Sequence, residues 1–132
     1  MAHHFEYDAA QGVLLVILEG HVDRAEILRY HDEVKERLRT FRISCAITDL
    51  TLVTSSDLPG SVVWELALKD AFVLPAVPRC IVAPQDHIYG IARMYQLSSN
   101  VPHELLQIFR TRKEALSALG LDDPTFKPWT PR

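Results

Sequence analysis

Cysteine, glycine and long apolar runs are all scarce in this sequence. Its two cysteines, Cys45 and Cys80, lie in short apolar segments, where a thiol usually behaves as a small buried hydrophobe. No apolar stretch is long enough to cross a bilayer, and the first residues lack the basic and apolar segments of a signal peptide. We therefore expect no disulfide, no membrane insertion and a cytoplasmic location.

A surplus of basic charge and the signatures of common enzymes are missing as well. The formal net charge is -3, so no basic field is present to hold a nucleic-acid backbone. The sequence contains no Gly-rich phosphate loop, no Gly-x-Ser-x-Gly elbow and no Cys-x-x-Cys pair. These absences predict a chain that binds no nucleic acid, needs no cofactor and is not an enzyme.

The histidines do not have the spacing of a metal site. His21 and His31 are not separated as a His-x-x-x-His pair, which would place two ligands on one helix face. His3 and His4 carry little weight, because pairs near a terminus are often unstructured. We expect no bound metal.

Length and composition predict one folded domain. Apolar residues make up 48% of the 132 residues and charged residues 23%, which is typical of soluble globular proteins. A chain of this size can form one α/β domain with a core but not two ordinary domains. We expect the domain to span residues 1–121, with a Pro-rich tail over residues 122–132 that Phe126 and Trp129 could hold against the surface.

Apolar runs alternate with amphipathic segments along the chain. A hairpin and three later segments predict strands over residues 5–8, 13–18, 43–50, 77–83 and 105–109. Helices are expected over residues 24–39 with Asp23 as the cap, from Ser56 or Asp57 to about 72, from Asp86 to before Asn100, and from a capping box at Thr111 and Glu114 to Gly120. This order predicts an α/β fold with a mostly parallel sheet, an antiparallel N-terminal hairpin and about four helices.

Polar side chains follow two of the predicted parallel strands. These side chains are Asp49, Thr51, Ser55, Ser56 and Asp57 after the first strand, and Asp86, His87 and Tyr89 after the next. Because parallel strands end at the same edge of a sheet, we expect the two groups to form one binding surface. A simpler interpretation also remains open, in which the acids and serines cap helices and His87 is exposed.

The second predicted helix is apolar around most of its circumference. Val62, Val63, Trp64, Leu66 and Phe72 occupy several faces, and few polar residues separate them. Two interpretations are open: the helix is wedged deep in the fold, or one face is an interface with Trp64 as an anchor.

The segment Asp49-Leu50-Thr51-Leu52-Val53, the later Asp57 and Gly60, and the closing residues 109–116 resemble the STAS domains, which include anti-sigma factor antagonists of the SpoIIAA type. The resemblance covers residues 13–119. It implies a SpoIIAA-like fold and a bacterial regulatory domain that binds a protein partner or a second copy of itself without catalysis.

The same resemblance implies a phosphorylated serine at the start of the second helix. In an ungapped alignment, however, Leu58 and Pro59 stand where the two serines of the family motif are expected. A short gap brings Ser55 or Ser56 to that position and makes them candidate phosphosites, since a helix N-terminus favours added negative charge. The alternative function is a small-ligand-binding module at the C-terminal edge of the sheet, and an enzyme that uses His87 comes third.

Overall fold

The computed structural model describes residues 2–73, 77–99 and 101–129, and a single sheet occupies the centre of this part of the chain. Its strands are β1 (Ala2–Asp8), β2 (Val13–Val22), β3 (Cys45–Ser56), β4 (Arg79–Val82), β5 (Leu106–Phe109) and β6 (Lys127–Pro128). The helices are α1 (Arg24–Thr40), α2 (Gly60–Val73), α3 (Asp86–Ser98) and α4 (Arg112–Ala118), with a 3-10 turn at His103–Leu105. The predicted end of the third helix near Asn100 lies partly outside the described residues.

The sheet has the strand order β5-β4-β3-β2-β1-β6. Strands β2 to β5 are parallel to their neighbours, whereas β1 pairs with β2 and β6 in the antiparallel sense. The predicted mostly parallel sheet with an antiparallel hairpin is therefore confirmed.

Helices cover both faces of the sheet. Alternate residues of β2 point to opposite sides, so Leu14 and Leu18 pack under α1 and α3, while Val13 and Leu15 pack under α4 with Ala115. This double coverage explains why the start of β2 is apolar at every position. Helix α2 packs beside α3 through a smaller cluster that includes Val63, Ala67 and Tyr95.

Gly12 closes the β1–β2 hairpin in a conformation that other residues rarely adopt. Its φ is +68°, and a Cβ atom at this position would lie 2.9 Å from Oγ of Ser44. Its carbonyl also accepts the backbone N–H of Ser44 at 2.7 Å. Glycine is therefore required both by the left-handed turn and by the close approach of the chain that enters β3.

Two predicted helix caps are present. Oδ1 of Asp23 accepts the backbone N–H of Glu26 at 2.9 Å, at the start of α1. At the start of α4, the hydroxyl of Thr111 accepts the backbone N–H of Glu114, and the Glu114 carboxylate accepts that of Thr111. Gly120 follows α4 with a φ of +67°, as expected for a helix stop.

The other two predicted caps are wrong. Helix α2 begins only at Gly60, and the carbonyl of Pro59 accepts the backbone N–H groups of Val62 and Val63. Neither Ser56 nor Asp57 is adjacent to this start, because the chain is still extended there. At α3 the cap position belongs to Gln85, whose side chain makes no capping bond, and Asp86 is the first helical residue.

Strands β2 and β3 continue further than their apolar runs predicted. Their parallel pairing reaches His21 with Ser55 and Val22 with Ser56, after irregularities between Ile17 and Glu19 and between Gly20 and His21. Residues 51–56, which follow the predicted strand over residues 43–50, are thus strand as well. This extension determines which way each serine points.

Residues near both ends of the described chain belong to the sheet. His3 and His4 lie in β1, and the His3 ring hydrogen-bonds the carboxylate of Glu33 on α1, so the expectation of an unstructured pair is wrong. Near the other end, β6 pairs with β1, and the Trp129 ring lies 4.9 Å from that of Tyr7. Oδ2 of Asp8 accepts the backbone N–H of Thr125 at 2.6 Å, which fastens the tail further.

Candidate functional site

Polar residues of β3 and polar residues that follow β4 and β5 meet at one rim of the sheet. Asp49 pairs in register with Val82 of β4, and Asp86 follows four residues later in the chain. The side-chain amide of Gln85 crosses between them and donates to the carbonyls of Thr51 and Val53, at 2.9 and 3.0 Å. Asp49 and Asp86 therefore lie at the same rim, although their side chains contact different residues.

Asp49 is buried and fully engaged by protein groups. Its Oδ1 accepts the backbone N–H of Thr51 at 2.9 Å and the hydroxyl of the same residue at 2.5 Å. Its Oδ2 accepts Nε of Arg112 at 2.9 Å and lies 2.8 Å from Nη2. A carboxylate that is 4% exposed needs such partners, because burying it unpaired would cost several kcal/mol. The arrangement ties β3 to the start of α4 and leaves Asp49 little capacity for a ligand.

Asp86 forms an exposed cluster with Arg110, which follows β5, and with Tyr89 of α3. Nη1 of Arg110 donates to Oδ1 of Asp86 at 2.7 Å and to the carbonyl of Pro84 at 3.1 Å. The Arg110 guanidinium also lies 3.9 Å from the centre of the Tyr89 ring. The next residue, His87, is exposed, and among the described residues its ring makes no hydrogen bond or ion pair with this cluster. Of the three residues predicted together after β4, Asp86 and Tyr89 therefore contact Arg110, and His87 does not join them.

Ser55 belongs to a third group, on the extension of β2 and β3. Its Oγ lies 2.7 Å from Nδ1 of His21, and Nε2 of the same ring lies 3.4 Å from Oδ2 of Asp57. All three residues are exposed. The imidazole therefore connects a hydroxyl and a carboxylate that reach it from the end of β3.

Ser55 and Ser56 point to opposite sides of the sheet, as successive strand residues do. Ser55 lies with His21, whereas Ser56 is half-buried beside Val22 on the side covered by α1 and α3. The Ser56 hydroxyl accepts the backbone N–H of Leu58 at 3.4 Å. The predicted single surface is consequently divided, with Ser56 facing inward and Ser55 and Asp57 facing solvent.

Trp64 lies apart from the rim, on the outer side of α2. Its exposed fraction is 54%, and two other large apolar side chains, Met94 and Leu97 of α3, are 43% and 73% exposed. The two helices touch where a Cβ on Gly60 would lie 3.5 Å from Sδ of Met94. Trp64 is one turn beyond Gly60 and Leu97 about one turn beyond Met94, so each shares a helix face with one residue of this contact. We call Trp64, Met94 and Leu97 the α2–α3 apolar surface.

The two cysteines are buried under α4 and are poorly suited to act as nucleophiles. Cys45 and Cys80 are both reduced and buried. Burial raises the pKa of the Cys45 thiol and, with a smaller effect of neighbouring Cys45, raises that of Cys80 to about 12. A thiol with such a pKa stays protonated and unreactive at neutral pH.

Four residues of the site were missed by the sequence analysis: His21, Gln85, Arg110 and Arg112. The two arginines follow β5 at the rim where Asp86 follows β4 and where Asp49 of β3 pairs with the last residue of β4, so the same strand-end rule identifies them once basic partners are sought. His21 could not be found without the extended pairing of β2 with β3.

Among the side chains that the structure describes, no group of three His, Cys, Asp or Glu residues has the arrangement of a metal site. No helix in the same part of the chain is both long and apolar enough to span a membrane.

Comparison with known proteins identifies the fold. No protein-family model matches the sequence, and the curated proteins include no significant match. Among solved structures, the unphosphorylated form of the anti-sigma factor antagonist SpoIIAA superposes with a TM-score of 0.59 at 15% identity, over 90% of this chain and 98% of the other. The phosphorylated form of the Bacillus cell fate determinant SpoIIAA gives 0.52 at 11% identity, over 89% and 99%.

A third similar structure is an uncharacterised protein of the DUF3478 family, with a SpoIIAA-like fold, from Shewanella loihica. Its TM-score is 0.57 at 17% identity, and the superposition covers 88% of this chain and 90% of the other. The chain therefore has a SpoIIAA-like fold, as the resemblance to STAS domains predicted.

Proposed function

We propose that this chain is a non-catalytic bacterial regulatory domain that acts in the cytoplasm by binding a protein partner through the α2–α3 apolar surface. The observation that carries the proposal is a contrast between two surfaces. At the rim, Asp49 and Asp86 are each paired with an arginine of this chain. On α2 and α3, by contrast, Trp64, Met94 and Leu97 are large apolar side chains with exposed fractions of 54%, 43% and 73%. Such side chains are typical anchors of protein interfaces.

The fold supports a regulatory role. Two of the similar structures are forms of SpoIIAA, which is an anti-sigma factor antagonist and therefore works on another protein. Fold likeness alone does not assign a function, so the exposed side chains carry the argument for binding.

Modification of Ser55 is part of the proposal. Of the two candidate phosphosites, Ser55 is exposed, whereas the Ser56 hydroxyl faces inward and accepts the backbone N–H of Leu58. A phosphate on Ser55 would stand beside His21 and close to Asp57. It would attract a protonated His21 and repel Asp57, and so change the charge and conformation of the chain that leads into α2.

Mutation of the α2–α3 apolar surface tests the proposal. The full chain, immobilised and exposed to extract of the source bacterium, should capture a partner that Trp64→Glu and Leu97→Glu each fail to capture. Arg39→Glu, on the exposed end of α1, is the matched control and should capture it normally. Sedimentation over a range of concentrations should show whether a second copy occupies the same surface. Capture and self-association that are identical in all variants would refute the proposal.

A small-ligand-binding module is the second candidate. Its predicted location was the polar rim, but there Asp49, Asp86 and Tyr89 already contact arginines of the chain. The observation that favours ligand binding is instead an apolar cavity of about 80 Å³ on the side of the sheet that α1, α2 and α3 cover.

A further inference from the structure

A buried guanidinium on α1 has hydrogen-bond donors that the protein does not use. Arg37 is 4% exposed, and its Nη1 donates to the carbonyl of Glu33 at 3.3 Å. Within the part of the chain that the structure describes, Nε and Nη2 of Arg37 have no hydrogen-bond partner. Burial lowers the pKa of Arg37, although the nearby Glu33 carboxylate opposes that shift. Because buried donors without acceptors cost free energy, this guanidinium favours an acceptor from outside the chain.

The unused donors lie on one edge of the guanidinium. Nε–H and one N–H of Nη2 point in the same direction, so together they form a fork that matches the oxygens of a carboxylate. The chain uses the same two nitrogens of Arg112 to hold Asp49, at 2.9 and 2.8 Å. At Arg37, no carboxylate of the described residues meets this fork.

Aromatic rings pack against the guanidinium and hold it in place. Cζ of Arg37 lies 3.6 Å from the centre of the Phe5 ring and 5.2 Å from the centre of the Trp129 ring. The π face of a ring attracts the positive charge, but it supplies no oxygen or nitrogen acceptor to the N–H groups. The rings therefore fix the position of the fork and leave its donors unsatisfied.

Arg37 lines a surface pocket of about 290 Å³ between α1 and the strands β1 and β6. A volume of this size is near the lower end for small-molecule sites, which span about 300–1,000 Å³. The other residues that line the pocket are mainly rings, and they are His3, His4, Phe5, Glu33, Pro128 and Trp129. Apolar walls around one unsatisfied cation suit a ligand with an apolar body and an anionic end.

The charges around the pocket favour an anion with a single negative charge. The carboxylate of Glu33 is the acidic group beside Arg37, and it is hydrogen-bonded to the ring of His3. Glu26 lies 3.8 Å from the other nitrogen of that ring and is paired with Arg29. One carboxylate would neutralise Arg37, whereas a doubly charged phosphate would be repelled more strongly by Glu33.

We propose that the pocket between α1 and the strands β1 and β6 binds a small organic carboxylate. The carboxylate accepts Nε–H and Nη2–H of Arg37, and the apolar body packs against Trp129 and Pro128. Entry requires a small movement of the pocket wall, because Nε and Nη2 are themselves buried. The site lies on other elements than the α2–α3 apolar surface, so it goes beyond the proposed function and does not depend on it.

Benzoate is the probe that tests the proposal, added to the full chain while the indole N–H resonance of Trp129 is followed by NMR. We expect a saturable shift and a higher melting temperature, because a ligand that binds the folded state stabilises it. Benzamide, which has the same ring without the charge, and sodium chloride at equal ionic strength should produce neither effect. The indole N–H of Trp64, which does not line the pocket, is the internal control and should not shift.

Substitutions of Arg37 separate its charge from its fork. Arg37→Lys keeps the charge but loses the fork, and it should weaken benzoate binding by about tenfold. Arg37→Met should abolish the saturable shift. Arg39→Met removes an exposed arginine of the same helix and should bind benzoate as wild type does. If Arg37→Met does not fold, Arg37→Lys and the comparison of benzoate with benzamide decide the question.

Three results would overturn the proposal. They are the absence of a saturable benzoate shift in wild type, an equal shift of Trp129 by benzamide, and unchanged benzoate affinity in Arg37→Lys. Inorganic phosphate should bind more weakly than benzoate, and equal or tighter binding of phosphate would refute the choice of a singly charged carboxylate.

Discussion

Arg112 holds the buried carboxylate of Asp49 from two strands away, with Nε and Nη2 at 2.9 and 2.8 Å from Oδ2. The pair connects the middle of β3 to the first residue of α4 across the end of β4. The neighbouring pair of Arg110 and Asp86 has an equally short contact of 2.7 Å, but its carboxylate is 96% exposed. Two arginines on the same segment therefore offer a direct comparison of a buried and an exposed ion pair.

We predict that Arg112→Ala lowers the free energy of unfolding by about 2 kcal/mol, because it leaves the buried carboxylate of Asp49 without its cation. Arg110→Ala should lower it by less than about 1 kcal/mol, since Asp86 returns to water. Urea unfolding of both variants measures the difference. Equal losses would show that burial of Asp49 has no energetic consequence.

Phosphorylation should select between the two serines at the end of β3. We expect incubation with ATP and extract of the source bacterium to add one phosphate to wild type and to Ser56→Ala, and none to Ser55→Ala, because only Ser55 is exposed. Intact-mass spectrometry detects the change. A phosphate that persists in Ser55→Ala would assign the modification to another residue.

The cysteine thiols should be protected in the folded state. Because burial raises their pKa values, to about 12 for Cys80, we predict almost no reaction of native protein with a thiol reagent at mildly alkaline pH. Both thiols should react rapidly once guanidinium unfolds the chain, which serves as the internal control. Fast labelling of native protein would mean that α4 opens readily from the sheet.

Asp8 should make the free energy of unfolding depend on pH in the acid range. The backbone N–H of Gln11 donates to Oδ1 at 2.9 Å, and this bond, with that from Thr125, lowers the pKa of Asp8 below its ordinary value of 3.8. A lowered folded-state pKa means that the stabilisation is present above pH 3.8 and is lost as the pH falls through the folded value.

Asp8→Asn should therefore be less stable than wild type at neutral pH, and the difference should shrink as the pH falls below about 3.8. Thermal unfolding over a series of pH values measures it. Asp123→Asn changes an exposed carboxylate in the tail near Thr125. It is the control, and its stability should follow that of wild type at every pH. A difference between Asp8→Asn and wild type that stays constant in acid would rule out the carboxylate as its cause.

The sequence predicted those parts of the fold that depend on local pattern. Helix α1 follows from its apolar spacing and Asp23, and α4 from the Thr111 and Glu114 capping box. The extension of β3 through Ser56 was missed, because its hydroxyl-rich residues resemble a loop and only pairing with β2 makes them a strand. Strand β6 was missed because it contains Pro128 and has just two residues.

The candidate site was predictable in position but not in its contacts. The rule for strand ends placed Asp49 and Asp86 at one rim, yet the arginines that neutralise them depend on which strands are neighbours. The cavity could not be predicted at all, since it results from how three separate helices fit over one face of the sheet. Whether its residues fill the space is a matter of side-chain volumes, not of periodicity.

The pairing of β6 with β1 limits the addition of strands from other molecules at this edge of the sheet. Beyond β1, β6 is the last strand of the sheet, and the backbone N–H of Trp129 donates to the carbonyl of Phe5 at 2.9 Å. A chain shortened before Lys127 would expose the hydrogen-bonding groups of Phe5 to Tyr7 as an open edge, which is a template for adding strands from other molecules. Residues 127–129 thus cover part of the β1 edge and hinder the addition of strands there.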